Sequence, residues 1–344
     1  MMDHDNIERT LEPPSEEAFD IALIPYRGAD FAQRFGYTVR DLMILLALQS
    51  ADRVSSILWL QRPSIVTEWL NRAALPRHDK LTFSRKLDLN VFGQMYFRRA
   101  WAARSMRVHE RMLRNWSEGT GKILLDFHPF YIPPKEVVEN PGVIYWYDLI
   151  DNFEKHNLFS ARQKQLVRKK YSFVRKHARF VTGVSDLAVE AVGGGHVIAN
   201  RLVGKNKKSI YHFPNSPFDF GFTGFITDKF DVALIERLSN LGYNVLIRGK
   251  AYDNEVLHKL RSIENVTVGG AYHHDEQAEI IRQFSVGLVP YKPEKSHDES
   301  PIKLWQYLAQ GSGALLSMKF GLHEKKFDSS IGYYSLMSDR KSVV

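Results

Sequence analysis

The sequence predicts an α/β protein built from two doubly wound parallel sheets that face each other across a central cleft. Short apolar segments without polar alternation recur along the chain and are separated by segments with helical spacing, which is typical of parallel strands covered on both faces. The alternation starts near residue 18 and starts again after a turn-rich segment at 214–217. A chain of 344 residues is also long for one core, which favours two domains.

The elements of the first unit follow from its apolar runs and helical spacing. Strands are predicted at 18–25, 55–60, 122–127, 143–147, 180–184 and 209–213, and helices at 39–49, 91–116, 160–177 and 186–192. The last of these helices begins after Ser185, which suits the N-cap position. The triple glycine at 193–195 lacks the Lys-Ser/Thr ending of a phosphate loop, so we interpret it as a flexible turn.

The second unit repeats the alternation after the turn-rich segment. Strands are predicted at 221–225, 244–247, 266–268, 286–289, 314–316 and 331–336, and helices at 231–241, 253–262, 275–284 and 302–309. The domain boundaries are therefore expected at 18–215 and 216–344, with a polar, proline-containing and disordered N-terminus at 1–17. Open α/β sheets bind ligands at the carboxyl ends of their strands, so both of these edges are expected to face the cleft.

Composition narrows the class of protein. The chain has no cysteine, which excludes disulfides, thiolate metal sites and a cysteine nucleophile. Its N-terminus is acidic and lacks an apolar signal region, and no apolar run approaches the ~20 residues that a membrane span needs. A cytoplasmic location is therefore expected. The net charge of +8 predicts anionic partners such as phosphates or acidic lipids.

The segment with the most specific pattern runs from Asn265 to Ser317, NVTVGGAYHHDEQAEIIRQFSVGLVPYKPEKSHDESPIKLWQYLAQGSGALLS. It resembles the nucleotide-binding domain of GT-B glycosyltransferases, with a strand ending in VGLVPY, a Ser-Pro-x-Lys helix start and a YLAQG close. The upstream segments VIYWYDLIDNF, VTGVSDLA and HFPNS resemble the acceptor domain of the same architecture. Among GT-B enzymes, the chain is most similar to the glucuronosyltransferase-like enzymes of bacterial exopolysaccharide, capsule and teichuronic-acid assembly. The resemblance covers roughly residues 120–320.

This resemblance implies two Rossmann-like domains and a metal-independent hexosyltransferase. The first domain would bind the acceptor and the second a UDP- or GDP-sugar, with transfer to a lipid-linked (polyprenyl-diphosphate) or glycan acceptor. The nucleotide-sugar would be a co-substrate, and no cofactor is expected. The only Asp-x-Asp motif is Asp3-His4-Asp5 in the polar N-terminus, so no metal site of the GT-A type is indicated. Such chains normally finish with a helix that crosses back to the first domain, which this sequence does not show.

The Ser-Pro-x-Lys segment predicts a pyrophosphate site. Ser300 suits a helix cap and Pro301 suits the first helical turn, so the free N–H groups of the helix would point at an anion. Lys303 adds a cation in the first turn, where it opposes the helix dipole unless a phosphate lies in front of it. Relatives carry a Glu-x7-Glu pair around this helix. The matching positions here are Asp298 and Gln306, and Gln306 would contact the ribose hydroxyls without a charge.

Other donor contacts are expected at strand ends of the second unit. Arg248 and Lys250 flank a glycine after a predicted strand, an arrangement that suits a diphosphate but is equally compatible with a solvated loop. Gly224 matches a family position where the backbone approaches the leaving phosphate. Tyr272 and His273 follow the next strand and would border the base.

An inverting transferase needs a base near the acceptor hydroxyl. Asp148 and Asp151 follow the strand at 143–147 and are the first candidates, with the choice between them open. The acceptor-side candidates are the strand-end residues Asp126, His128, Arg27 and Gly28.

Two basic helices predict binding to an anionic membrane surface or to a lipid acceptor. The alternative is that the cations only form solvated helix faces. The cations of the first are Arg104, Arg107, Arg111 and Arg114, with Trp101, Val108 and Met112 on another face. Those of the second are Arg162, Lys164, Arg168, Lys169, Lys170, Arg175 and Lys176, with Val167, Tyr171 and Val174 as its apolar stripe.

Two other functions are compatible with this sequence. A GT-B-shaped nucleotide-sugar epimerase or phosphorylase would share the donor site. A basic nucleic-acid-binding protein would explain the charge, but it should show aromatic residues among the cations or a known binding module, and neither is found.

Overall fold

The structure is a computed structural model that describes residues 18–63, 75–84, 86, 101, 104–156, 159–200, 216–295, 300–318 and 330–334. The predicted strand at 209–213, the N-terminal segment 1–17, most of the boundary segment and Asp298 lie outside the described residues. Within the described part, two parallel sheets account for every named strand.

The first sheet has seven strands in the order β3-β2-β1-β4-β5-β6-β7, and all its neighbours are parallel. Its strands are β1 (Phe19–Ile24), β2 (Val54–Leu60), β3 (Leu81–Ser84), β4 (Lys122–Asp126), β5 (Val143–Leu149), β6 (Phe180–Gly183) and β7 (His196–Val197). The strand order reverses between β1 and β4, which places the ligand-binding edge at the loops after these two strands.

Among the described residues, six α-helices and one 3-10 turn connect these strands. The helices are α1 (Ala29–Phe35), α2 (Arg40–Gln49), α3 (Glu110–Trp116), α4 (Lys135–Val138), α5 (Ala161–His177) and α6 (Asp186–Glu190), and the 3-10 turn is Met106–His109. Ser160 and Gln163 form a capping box at the start of α5, and the Ser185 hydroxyl accepts from the Ala188 N–H at 3.1 Å. These two helix starts are confirmed by side chains that satisfy otherwise unpaired N–H groups.

The second sheet has six strands in the order β10-β9-β8-β11-β12-β13, again parallel. Its strands are β8 (Phe218–Thr223), β9 (Val245–Arg248), β10 (Val266–Gly269), β11 (Phe284–Val289), β12 (Gly313–Leu316) and β13 (Ile331–Tyr333). Its helices are α7 (Val232–Asn240), α8 (Asn254–Arg261), α9 (His274–Ile281) and α10 (Ile302–Ala309). The order reverses between β8 and β11, so this unit repeats the topology of the first.

Both faces of the first sheet are covered by apolar side chains. Along β1, Ala22 and Ile24 belong to one buried cluster, whereas Ile21 and Leu23 belong to another. Burial of an aliphatic side chain of this size contributes about 1.5–3 kcal/mol, so both layers hold the sheet. This two-sided burial explains why the strands show no polar alternation.

The predicted elements differ from the structure at several positions. Helix 91–116 is interrupted by the 3-10 turn at Met106–His109, so Val108 is 45% exposed although it was expected beside the buried Trp101. Helix 275–284 ends at Ile281 because β11 begins at Phe284. Strands β3 and β7 and helices α1 and α4 were not predicted, since each is short. The strand predicted at 143–147 continues to Leu149, so Asp148 lies within β5 and not after it. No helix among the described residues is long and apolar enough to cross a membrane.

Candidate functional site

The loops after β8 and β9 pack backbone against backbone at the ligand-binding edge of the second sheet. Gly224 has a φ of 140° and Gly249 a φ of 154°, which only glycine adopts easily. A Cβ on Gly249 would lie 1.6 Å from the Gly224 carbonyl oxygen. The Gly224 N–H donates to the Arg248 carbonyl at 3.0 Å. Glycine therefore permits a close approach at this edge that no other residue would allow.

Lys303 projects over Gly224 from the first turn of α10. A Cβ on Gly224 would lie 3.1 Å from the Lys303 Cε and 3.6 Å from its Nζ. The ammonium group donates to the Tyr291 hydroxyl and lies 4.5 Å from the centre of that ring and 5.4 Å from that of Phe222. These aromatic neighbours hold the cation at the edge of the sheet, beside the loop that follows β8.

The start of α10 differs from the predicted cap. Pro301, with φ −65° and ψ 116°, is the N-cap residue, and no side chain caps the helix. Ser300 is 94% buried, since it is 6% exposed, and its hydroxyl has no hydrogen-bond partner among the described residues. The prediction of Ser300 as the cap is therefore wrong by one residue, because the extended conformation of Pro301 delays the first helical turn. The first N–H groups of the helix therefore have no side-chain cap.

Arg248 is the last residue of β9, and its Nε is buried without a hydrogen-bond partner in the described part of the chain. Its side chain crosses Gly269, where a Cβ would lie 2.4 Å from the Arg248 Cδ. Lys250 instead lies over aromatic rings, 5.0 Å from Tyr252 and 5.6 Å from Phe35 of the first unit. Both residues were predicted to contact the nucleotide-sugar. Arg248 has a hydrogen-bond donor without a partner among the described residues, whereas Lys250 makes a contact between the two units.

A cavity of about 280 Å³ lies between the two units, near the lower limit of ligand pockets. The lining residues are Tyr37, Thr38, Met43, Leu46, His274, Gln277, Ala278, Ile281, Gln306 and Gln310. The Gln277 amide donates to the Gln306 carbonyl at 2.9 Å and to the Tyr272 hydroxyl at 3.2 Å. Tyr272 is half-buried, and burial raises the pKa of its phenol. Gln306 thus lines the cavity, and Tyr272 lies directly behind its lining.

His273 begins the turn into α9 and forms part of the only group of described residues that could hold a metal ion. The His273 Nδ1 and the His274 Nε2 lie 3.0 and 3.1 Å from the two Asp275 oxygens. All three side chains come from consecutive residues, and the carboxylate is already paired with both rings. His274 also packs edge-on against Tyr37 of the first unit, with ring centres 6.2 Å apart.

Arg27 and Gly28 follow β1 at the ligand-binding edge of the first sheet. The Arg27 guanidinium lies 4.6 Å from the ring centre of Tyr26. The backbone N–H groups of Tyr26 and Arg27 donate to the Asp41 Oδ2 at 3.0 and 2.7 Å. The Gln61 side-chain Oε1 accepts from the Ala29 N–H at 3.0 Å, next to Gly28. The sequence analysis did not identify Asp41 and Gln61, whose side chains hold the loop after β1.

Asp126 is fully buried and pairs with Lys170 at 2.5 Å. It also accepts from the Tyr145 hydroxyl at 3.1 Å and from the His128 backbone N–H at 2.8 Å. Burial raises the pKa of the Asp126 carboxyl, and the Lys170 ammonium opposes that shift. Lys170 was predicted on the basic surface of α5. That prediction is wrong, because the side chain is fully buried against Asp126.

The His128 ring is a hydrogen-bond donor. Its Nδ1 accepts from the backbone N–H groups of Phe130 and Tyr131 at 3.2 and 2.9 Å, so its proton resides on Nε2. Burial, together with the charges of Lys170 and Arg62, lowers the pKa of His128 to about 3. A ring in this state has no free lone pair for a base, but its Nε2–H can bind an oxygen.

Asp148 and Asp151 differ in environment. Asp148 is fully buried, and the Arg40 Nε and Nη2 donate to its two oxygens at 2.7 Å each. The Thr182 hydroxyl donates to the Asp148 Oδ2 at 2.5 Å. Asp151 is half-buried and lies in the loop beyond β5. The buried carboxylate of Asp148 suits an anchor, whereas Asp151 is partly exposed and is the more accessible of the two candidates for a base.

The predicted basic surfaces are exposed for the most part. Arg104, Arg107, Arg111 and Arg114 are exposed, and Arg114 pairs with Glu136 at 2.5 Å. On α5 the exposed cations are Arg162, Arg168, Lys169, Arg175 and Lys176. The predicted apolar stripe of α5, Val167, Tyr171 and Val174, is confirmed as buried.

The comparisons with known proteins bear on the fold. No protein-family model matches the sequence, and no curated protein matches it. The solved structure of AviGT4, a glycosyltransferase involved in avilamycin A biosynthesis, is similar with a TM-score of 0.55 at 11% identity. The match covers 89% of this chain and 81% of that one.

Two further structures are similar at lower TM-scores. LpCGTa in complex with UDP has a TM-score of 0.48 at 12% identity, covering 93% of this chain and 85% of that one. MurG from Acinetobacter baumannii has a TM-score of 0.41 at 10% identity, covering 93% and 86%. The fold assignment rests on the similarity to AviGT4 and on the two parallel sheets of this chain, whose topologies match each other. On that evidence, this chain has the GT-B glycosyltransferase fold.

Proposed function

We propose that the protein is a glycosyltransferase that moves a sugar from a nucleotide-diphosphate donor, a UDP- or GDP-sugar, to an acceptor hydroxyl. One observation carries this proposal. At the ligand-binding edge of the second sheet, the Arg248 Nε and the Ser300 hydroxyl are buried without a hydrogen-bond partner among the described residues. Buried polar groups are normally paired, so an anionic ligand is the natural partner for these donors.

The charges at this edge suit a diphosphate. Helix α10 has no side-chain cap, so its first N–H groups carry the positive end of the helix dipole. Lys303 lies in the first turn, where its charge would oppose the dipole without an anion in front of it. Gly224 lets a phosphate approach the backbone below Lys303. In this arrangement Arg248, Lys303 and the helix end stabilise the leaving diphosphate, so we propose that no metal ion is required.

The cavity between the units would hold the nucleoside. Gln306 lines it from α10, the helix whose first turn carries Lys303, and the Gln277 amide fixes the orientation of the Gln306 side chain. Because Gln277 donates to the Gln306 carbonyl, the Gln306 amide N–H groups face outward as donors for a ribose hydroxyl. The aromatic rings of Tyr37 and His274 come from opposite units and pack edge to face, and they would contact the nucleobase.

The first unit would supply the acceptor side. Asp151 beyond β5 is the proposed base, and the His128 Nε2–H is a proposed donor to an acceptor or sugar oxygen. The exposed cations of α5 and of the segment 104–114 would favour a lipid-linked (polyprenyl-diphosphate) acceptor at an anionic membrane surface over a neutral glycan, in polysaccharide assembly. A peripheral location on the inner face of the membrane would follow from that acceptor.

Nucleotide binding is the first test. We expect UDP or GDP to raise the melting temperature, and Lys303→Ala to abolish this shift while the fold persists. The matched control is Lys259→Ala, because Lys259 is exposed on α8 and pairs only with nearby acidic groups such as Glu255 at 2.8 Å. If no nucleoside diphosphate binds the wild-type protein, the proposed function is wrong.

The transfer step is the second test. With a UDP- or GDP-sugar and a polyprenyl-diphosphate acceptor, Asp151→Asn should reduce turnover at least about 100-fold while nucleotide affinity stays unchanged. Turnover should survive EDTA. Release of an altered free sugar without any acceptor would indicate an epimerase instead. A salt-sensitive gel shift with DNA or RNA would favour the nucleic-acid-binding alternative.

A further inference from the structure

Three buried polar side chains and one backbone carbonyl form a continuous hydrogen-bonded path from the first unit to the start of α10. The path begins at Asp148, which binds the Arg40 guanidinium through both oxygens at 2.7 Å. The Arg40 Nη1 donates to the Asn200 Oδ1 at 3.3 Å, and the Asn200 Nδ2 donates to the Ser300 carbonyl at 2.5 Å. Asp148, Arg40, Asn200 and Ser300 are between 0% and 6% exposed. The path therefore crosses the boundary between the two units away from solvent.

Each member of the path has its orientation fixed by its neighbours. The Arg40 Nη1 also donates to the Ile198 carbonyl at 2.6 Å, which holds the backbone beside Asn200. If the Asn200 amide were reversed, its N–H groups would face the guanidinium and its oxygen would face the Ser300 carbonyl. Both contacts would be repulsive, so only one orientation of the amide satisfies Arg40 and the Ser300 carbonyl together.

The Ser300 carbonyl belongs to the residue just before Pro301, the N-cap of α10. A hydrogen bond to this carbonyl fixes the peptide from which the helix starts, and with it the direction of the helix N–H groups. Lys303 and the buried Ser300 hydroxyl are attached to the same segment. The segment that we assign to the pyrophosphate is thus held by a residue of the opposite unit.

We propose that Asn200 is a positioning residue for the nucleotide-sugar, and that it acts by tying the acceptor-binding unit to the start of α10. The ion pair of Arg40 with Asp148 anchors this tie on β5. Donor affinity would then depend on a side chain that touches no part of the donor, and closure of the two units would be linked to donor binding. This inference rests on the proposed function, because the segment it positions is the proposed pyrophosphate site.

The chain offers a matched control for Asn200. The Asn140 Nδ2 donates to the Ser117 carbonyl at 2.8 Å, and the Asn140 Oδ1 accepts from the Gly142 N–H at 2.9 Å. Asn140 therefore makes the same kinds of hydrogen bond as Asn200, but within the first unit alone. Asn140→Ala reports the cost of losing such an asparagine without disturbing the contact between units.

The first experiment measures affinity for UDP and GDP by calorimetry. We expect Asn200→Ala to raise the Kd of the nucleotide that binds about tenfold, the loss expected for one buried hydrogen bond, and Asn140→Ala to leave it within about twofold. Asn200→Asp keeps an acceptor for Arg40 but places an oxygen against the Ser300 carbonyl, so it should weaken binding at least as much. If only Asn200→Asp weakens binding, the cause is charge repulsion and the proposal is wrong. The proposal is also wrong if Asn200→Ala binds the nucleotide with wild-type affinity.

Two further readouts separate positioning from general destabilisation. In steady-state assays, Asn200→Ala should raise the KM for the donor more than it lowers kcat. Hydrogen exchange without ligand should become faster at 300–304 in Asn200→Ala and stay unchanged there in Asn140→Ala. If the wild-type protein binds no nucleotide, the proposed function fails, and the exchange result alone then decides whether Asn200 ties the units. Unchanged exchange at 300–304 overturns the tie itself.

Discussion

The protonation state of His128 gives the sharpest prediction from the site geometry. The ring is buried, and its Nδ1 accepts from two backbone N–H groups, so the native protein holds it neutral with a pKa of about 3. In the unfolded chain the pKa returns to 6.5. Below pH 6.5 the unfolded state therefore binds a proton that the native state does not bind. The free energy of unfolding decreases as the pH is lowered.

The magnitude follows from these two pKa values. At pH 7.5 both states are almost entirely neutral, so His128 makes no pH-dependent contribution. At pH 5.0 the unfolded state is protonated roughly 30 to 1 while the native state remains neutral, which costs about 2 kcal/mol of stability. The full loss, reached near pH 3, is about 5 kcal/mol.

The assay is urea unfolding at pH 7.5 and pH 5.0, followed by tryptophan fluorescence. Five of the six tryptophans precede residue 217, so fluorescence reports mainly on the first unit. We expect the wild-type protein to lose about 2 kcal/mol more than His128→Gln between these two pH values. Other titrating groups are common to both proteins and cancel in this difference.

His78→Gln is the control, because His78 is exposed and its removal should leave the pH dependence as in the wild-type protein. Equal losses in the wild-type protein and in His128→Gln would refute the reasoning. They would mean that His128 takes up a proton in the native state, and its proposed role as a neutral donor would then be wrong. A neutral ring also predicts that the pH profile of turnover shows no ionisation from His128 between pH 5 and 8.

Three further predictions concern groups that hold the site in place. Gly249→Ala should destabilise the second unit by about 2–6 kcal/mol, because the new Cβ would lie 1.6 Å from a backbone oxygen at a φ of 154°. Gly242 lies in the same unit, at a φ of 85° and with nothing within 4 Å of the new Cβ, so Gly242→Ala should cost far less in urea unfolding followed by circular dichroism, and equal costs would contradict the clash. Burial raises the pKa of Asp41 from 3.8 to about 6, so its ionisation lowers stability as pH rises. The wild-type protein should therefore lose about 2 kcal/mol relative to Asp41→Asn between pH 4 and pH 7, and parallel curves would argue against a buried, hard-to-ionise carboxyl. Asp126→Asn leaves Lys170 buried without its counter-ion and should cost about 3–5 kcal/mol in urea unfolding, whereas a cost below about 1 kcal/mol would mean that the pair is not buried.

Part of the proposed donor site could be predicted from the sequence. Arg248 and Lys303 follow from local patterns, namely a cation at a strand end and a cation in the first turn of a Pro-containing helix start, whereas Gln306 follows from the family resemblance. Such patterns depend on residues within a few positions of one another, so a single sequence displays them. The same holds for the caps Ser160 and Ser185, whose partners lie three residues away.

The role of a strand-end carboxylate was not visible in the sequence. The sequence placed Asp148 and Asp151 together after one strand, whereas Asp148 lies within β5 and Asp151 lies in the loop beyond it. The partner of Asp148 is Arg40, 108 residues earlier in the chain. Lys170 was misplaced for the same reason, since its partner Asp126 lies 44 residues away. Neither pair leaves any periodic or local signal.

The sequence by itself determined the alternation of strands and helices, the two-unit architecture and the positions of the charged strand ends. These properties depend on side-chain burial and backbone conformation over short stretches of chain. Tertiary structure alone decided which charges are paired, which donors stay unsatisfied and how Asn200 links the units. Those outcomes depend on distances between residues far apart in the chain, and folding sets such distances through packing that no local pattern records.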